Sequence, residues 1–205
     1  ILIGFPRETN EDYRQQIQLV KLLLHLPPPE CVGDLWLERF SPYYTRPEEY
    51  GVTITGPGEA YPYVYDSEDI DLFRIAYDFE FTTQNEIDPA LKKELTETVQ
   101  KWKARHQSDD LPYLFFTKSM NFVTVYDDRS IGNPNKNRFE GAPAWIIVFC
   151  NESPKTMDQI KKHVQGLGAE ETAAEKGVLQ LEKMGILYGE KGKYLTLALP
   201  HNANL

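Results

Sequence analysis

Along the first forty residues, apolar runs that break at glycine or proline flank one helical stripe. Ile1-Leu2-Ile3 breaks at Gly4-Phe5-Pro6, and Leu35-Trp36-Leu37 runs on to Phe40-Ser41-Pro42-Tyr43. Both read as strands followed by turns. Between them Tyr13, Ile17, Val20 and Leu24 recur at helical spacing after Thr9-Asn10-Glu11-Asp12, where a hydroxyl cap and first-turn acids suit a helix start. Pro27-Pro28-Pro29 is expected to end the helix by withdrawing amide donors, leaving His25 at its C-terminus. The pattern predicts one strand-helix-strand unit with parallel strands. A single such unit closes no sheet, so a missing N-terminal part of the same protein is expected before Ile1.

Further on, Tyr61 to Phe81 alternates aromatic rings with carboxylates. It reads either as a segment that buries its rings around a barrel base or as an acidic aromatic surface for a basic or aromatic peptide. Asp88-Pro89 opens a helix carrying Leu91, Leu95, Val99 and Trp102 on one face, ended by the polar run Arg105 to Asp110. Tyr113–Thr117 and Phe122–Asp127 predict a hairpin, with Asp127-Asp128-Arg129 as a turn and ion pair and residues 131–137 as a loop. Ala144–Cys150 fits strand or helix and is assigned helix because Pro143 suits a helix start. Thr156 with Gln159 forms a capping box before Met157, Ile160 and Val164. A helix from Glu170 to Gly185, then strands 186–188 and 194–199 about a Gly192 turn, complete the pattern of a winged helix-turn-helix. The predicted domains are 1–87, a connecting helix 88–110, and a hairpin plus winged helix over 111–205.

Charge narrows the partners. The chain of 205 residues carries a net charge of −9. Between Glu59 and Asp88 nine acids face a lone Arg74, a net −8 in that stretch. The region from Asn151 onward is balanced, and the helix 170–184 holds four Glu against two Lys and no Arg. A helix of that charge repels phosphates, so nucleic acid is not the expected partner. No apolar stretch is long enough for a membrane span and no leader pattern opens the chain, so no membrane partner and a cytoplasmic location are expected. The two cysteines, Cys31 and Cys150, have no ligand-type neighbours, and His25, His106, His163 and His201 are scattered; no metal site is expected.

The run Gly4-Phe5-Pro6-Arg7-Glu8-Thr9, a helix, and Glu38-Arg39-Phe40-Ser41-Pro42-Tyr43 together resemble the last strands of a radical S-adenosylmethionine barrel. With His25-Leu26-Pro27-Pro28 and Tyr50-Gly51, the chain is similar to the cobalamin-binding members that mature ribosomally made peptides. The resemblance covers residues 1 to about 80 well and the remainder loosely. It implies an α/β fold, the terminal strand-helix-strand portion of a partial (β/α) barrel, followed by an α+β winged-helix domain. It also implies that Ile3, Gly4, Phe5, Pro6 and Glu8 line the adenine of S-adenosylmethionine, with Arg39 and Ser41 facing the ligand from the next strand end. The alternative for these residues is structural: a strand-to-helix turn, and an arginine paired with Glu38 or Glu8.

The same resemblance implies that the parent protein carries a 4Fe-4S cluster and cobalamin and modifies a precursor peptide by C-methylation. This chain lacks the CxxxCxxC triplet that ligates the cluster and so is not expected to be active alone. In the C-terminal domain the hairpin edge is expected either to accept a leader peptide as an added strand, with Phe115, Val123 and Val125 forming its side-chain pockets, or to belong to a module that only caps the barrel's hydrophobic end. The rival expectation is a non-catalytic peptide-binding or regulatory winged-helix module.

Overall fold

The computed structural model describes residues 1–65, 69–85, 87–130 and 133–201. It is a mixed α/β fold whose sheets are open, none closing into a barrel among the described residues. The chain divides into two units: Ile1–Val20 with Pro29–Lys103, and Lys21–Pro28 with Ala104–Leu205. Among the described residues no helix is long and apolar enough to cross a membrane.

In the first unit β1 (Leu2–Ile3) leads to α1 (Asn10–Leu22), capped as the sequence suggests: the Asp12 amide donates to Thr9 Oγ1, and the Thr9 amide donates back to the Asp12 carboxylate. The helix buries Tyr13, Ile17 and Val20. It stops at Leu22, before the prolines, so His25 lies beyond its end rather than at it. The parallel partner of β1 is β2 (Gly33–Asp34), not the expected run from Leu35 to Tyr43. That run bends away: β3 (Leu37–Glu38) pairs antiparallel with a later strand, Phe40 takes φ 71°, and Ser41 caps α2 (Pro42–Thr45). A left-handed residue followed by Ser-Pro cannot continue a strand.

After α3 (Pro47–Tyr50), Gly51 at φ 66° turns the chain into β4 (Val52–Pro57). Two short helices, α4 (Tyr61–Val64) and α5 (Leu72–Ile75), precede β5 (Asp78–Thr83), and the sheet order is β3-β5-β4. Leu37, Val52, Ala76 and Phe79 form its core beneath a ring of tyrosines. The long helix α6 (Pro89–His106) begins where predicted, with Asp88 accepting from the Ala90 amide at 2.9 Å, and buries Leu95, Val99 and Trp102.

The second unit opens with β6 (Leu114–Lys118) and β7 (Phe122–Asp127), the predicted hairpin, followed by β8 (Asn135–Glu140). Asn135–Asn137 therefore lies in a strand where a loop was expected; Ile131 and Gly132 lie outside the described residues. Then come α7 (Ala142–Phe149), which resolves the ambiguous stretch as helix, β9 (Lys155–Thr156), α8 (Met157–Gly166) with its capping box, and α9 (Glu171–Lys183). Strands β10 (Leu187–Glu190) and β11 (Lys193–Thr196) form the second hairpin, and β11 also pairs with β9. The expected strand to Leu199 ends at Thr196; β12 (Leu199–Pro200) instead runs parallel to β6, giving the order β12-β6-β7-β8. One continuous core joins this sheet to α7, α8 and α9.

Candidate functional site

The turn after β1 is held by Glu8. Its Oε2 accepts from the Gly4 amide (2.9 Å), the Phe5 amide (3.1 Å) and the Tyr13 hydroxyl (3.0 Å). The Gly4 amide also donates to the Tyr13 oxygen at 2.9 Å, and Gly4 sits at φ 86°, a conformation open mainly to glycine. Burial, with Glu8 beside it, pushes the Tyr13 hydroxyl up to about 12. The Glu8 carboxylate is thus turned back into its own turn, and Ile3 is buried beneath it.

Gly4 and Phe5 face outward from this turn. With Asp34, Leu35, Phe81 and Thr83 they line a groove of about 530 Å³, where Lys92 Nζ reaches Asp34 Oδ1 at 3.3 Å. Pro6 is half-buried and lies outside that lining. Arg39 and Ser41 have other duties. The Arg39 Nε donates to the Ala76 carbonyl at 2.6 Å, one terminal nitrogen donates to the Phe73 carbonyl, and the guanidinium lies 5.1 Å from the Phe79 ring centroid. It clasps α5 to β3 and pairs with neither Glu38 nor Glu8. Ser41 Oγ accepts from the Tyr44 amide at 3.2 Å as the cap of α2. Of the five residues expected around the adenine and the two expected to face the ligand from the next strand end, the structure brings Gly4 and Phe5 together on a groove and gives Ile3, Glu8, Arg39 and Ser41 structural partners.

A second groove, about 590 Å³, shares Asp34, Leu35, Glu80 and Phe81 with the first and continues past Trp36, Glu59 and Tyr63. Of the rings in the Tyr61–Phe81 stretch, Tyr63, Tyr65, Phe73 and Tyr77 are exposed, whereas Phe79 is buried. Asp66, Ser67 and Glu68 of that stretch lie outside the described residues. The sequence placed Leu35 and Trp36 in a strand and Glu59 in an acidic stretch without marking them, or Asp34, as site residues; the available sign is a lone Trp set between Asp34 and Glu38 in an otherwise apolar run.

In the second unit the expected peptide edge is covered. β12 lies along β6 and β8 along β7, so both outer edges of the hairpin are paired. Val123 and Val125 are buried in the core, and the Phe115 ring stacks on Tyr126 and His201 at 4.9 and 4.8 Å. None of the three is placed to form a pocket for an added strand. The sheet's edge strands among the described residues are the two-residue β12 and the six-residue β8, and β8 offers the longer free edge. A smaller cavity of about 300 Å³ opens beside the hairpin turn, lined by Met120, Phe122, Trp145, His163 and Leu167.

Asp127 and Arg129 form the expected ion pair, at 2.7 Å, and the same guanidinium donates to the carbonyls of Leu22 and Gly185 at 2.9 Å. Cys31 is exposed and Cys150 buried, with its thiol pushed up to about 12 by burial. A cluster ligated by three thiolates does not fit a chain with two cysteines, one of them so reluctant to ionise. Among the described residues no group of His, Cys, Asp and Glu is placed to hold a metal ion. No family model matches the chain, and neither a curated protein nor a solved structure does.

Proposed function

We propose that the chain is the C-terminal part of a radical S-adenosylmethionine enzyme that modifies a ribosomally made peptide by C-methylation, its cluster and cobalamin held by a part of the protein outside this chain. The carrying observation is the placement of Gly4 and Phe5: they follow a parallel strand directly, at its carboxyl end, and line a groove of about 530 Å³. Strand carboxyl ends are where α/β sheets bind ligands. The apolar side chains of Phe5, Leu35 and Phe81 suit an adenine ring, and the methyl group of the bound sulfonium is the chemistry that S-adenosylmethionine would supply there. Glu8 contributes by fixing the turn, and Gly4 by keeping the backbone open to the ligand.

In the second unit, the order α7, β9, α8, α9, β10, β11 supports a winged helix. Its third helix is a poor reader of DNA: Lys161 of α8 is drawn to Glu175 at 2.5 Å and lies 3.8 Å from Glu171, on a face rich in carboxylates. We assign this module to capture of the precursor peptide along β8. The same free edge also favours the second reading, a non-catalytic peptide-binding module.

Two measurements test the proposal. Reading the coding frame upstream of Ile1 is expected to show an in-frame CxxxCxxC, and a stop codon there refutes the enzyme reading. Titration of S-adenosylmethionine into the full-length protein is expected to show affinity lost in Gly4→Val, because a branched side chain is strained at positive φ and fills the backbone approach. Unchanged affinity in a folded variant removes this turn from the site.

A further inference from the structure

We infer that the second groove of the first unit is a docking site for a cationic peptide segment in which basic side chains alternate with apolar ones. This goes beyond the cofactor reading and does not depend on it. Four carboxylates, those of Asp34, Glu59, Asp78 and Glu80, line the groove, and no Lys or Arg does. Only Asp34 is paired, with Lys92; Glu59, Asp78 and Glu80 have no cationic partner among the described residues.

Between the carboxylates the surface is apolar. Leu35, Leu37, Phe79 and Phe81 line the groove, and Trp36 and Tyr63 stand at it 73% and 86% exposed. Large rings left in water beside unpaired carboxylates match a partner that is itself amphipathic: each basic head gains an ion pair and a ring face, and each apolar side chain covers the floor. The carboxylates are too dispersed to chelate, since no group among the described residues is placed to hold a metal ion. Their ligand is therefore extended and carries several separated charges.

The groove wall is also built to hold Asp78. A Cβ at position 58 would meet the Asp78 carboxylate where it now lies, so glycine there leaves it in this position, and the Gly58 amide ties the two segments together by donating to the Asp78 carbonyl at 2.8 Å. Of the two readings left open for Tyr61–Phe81, the exposed rings favour the receiving surface.

The test uses the whole chain and fluorescence anisotropy of a labelled ten-residue peptide alternating Arg and Leu. A matching Glu–Leu peptide and spermine serve as controls. Glu59→Lys with Glu80→Lys is expected to weaken binding about tenfold or more, and Trp36→Ala about threefold, with melting temperatures unchanged because all three side chains are exposed. Reversing Glu170 and Glu190 in the second unit by the same charge is expected to change affinity less than about twofold. The proposal fails if that distant pair weakens binding as much as the groove pair, which would mean bulk charge alone. It fails equally if the groove reversal has no effect, if the Glu–Leu peptide binds as well, or if spermine displaces the labelled peptide as effectively as unlabelled peptide does.

Discussion

Arg129 illustrates how much one side chain can hold. Its guanidinium neutralises Asp127, donates to the carbonyls of Leu22 and Gly185, and is almost fully covered. Arg129→Ala is expected to lower unfolding free energy by about 3–5 kcal/mol, because it strands a half-buried carboxylate and two carbonyls; urea titration measures this. Arg138→Ala, which breaks an exposed pair with Glu140, is expected to cost under about 1 kcal/mol.

His25 responds to pH. Its ring is buried, with Nε2 bonded to the Leu197 carbonyl at 2.9 Å, and burial lowers its pKa below the usual 6.5, with Arg129 acting in the same direction. Between its folded value and 6.5 the unfolded chain binds the extra proton, so stability falls as pH drops through 6.5 and levels off below the folded value. His163, lowered by burial and by Lys155, adds in the same sense. Asp127 works in a lower window: burial would raise it, but Arg129 outweighs burial and holds it below 3.8, so its contribution is lost only in stronger acid. Melting curves from pH 5 to 8 are expected to show the slope, and His25→Gln to flatten it. An unchanged slope in that variant would exclude His25 as its source.

Among the elements, those with local signals were legible. Asp88-Pro89 and Thr156 with Gln159 mark their helices because a cap needs only residues two or three apart. Thr156→Ala is accordingly expected to cost about 1 kcal/mol in a thermal or urea melt. Strands whose partners lie far off were not legible. Asn135–Glu140 carries no alternating apolar pattern and is a strand because β7 lies beside it, with Phe139 opposite Val123. Likewise the turn at Phe40 diverts a run that reads as a strand. At the candidate site Gly4 and Phe5 were legible, as residues of a turn at a strand end. Glu8 was legible only as one of two alternatives, ligand or turn residue, and the contacts of Arg39 and Ser41 were not legible at all, since a guanidinium and a hydroxyl serve caps and clasps as readily as ligands, and only the fold shows which.

For the whole molecule, the unequal charge of the sequence becomes a division of labour: the carboxylates of Glu59, Asp78 and Glu80 gather in the first unit. The second unit takes Lys21–Pro28 from far upstream, including the Leu22 carbonyl and the His25 ring. A fragment beginning at Ala104 is therefore expected to be less stable than one in which residues 21–28 are joined to it by a flexible linker, by about 3 kcal/mol or more. Equal urea midpoints for the two fragments would show that the upstream segment contributes only bystander contacts.

The pairing of β12 with β6 bears on how the protein is made. A ribosome delivers β6, β7 and β8 in that order, and each can settle against its neighbour as it emerges. The outer side of β6 has no such companion until Leu199 has been added, so throughout synthesis of α7, α8, α9 and the second hairpin the nascent chain carries a strand with an uncovered backbone. Translation pauses or premature termination before Leu199 would leave that strand open to pairing with other chains, which makes the codons for Leu199 and Pro200 a determinant of aggregation in the cell.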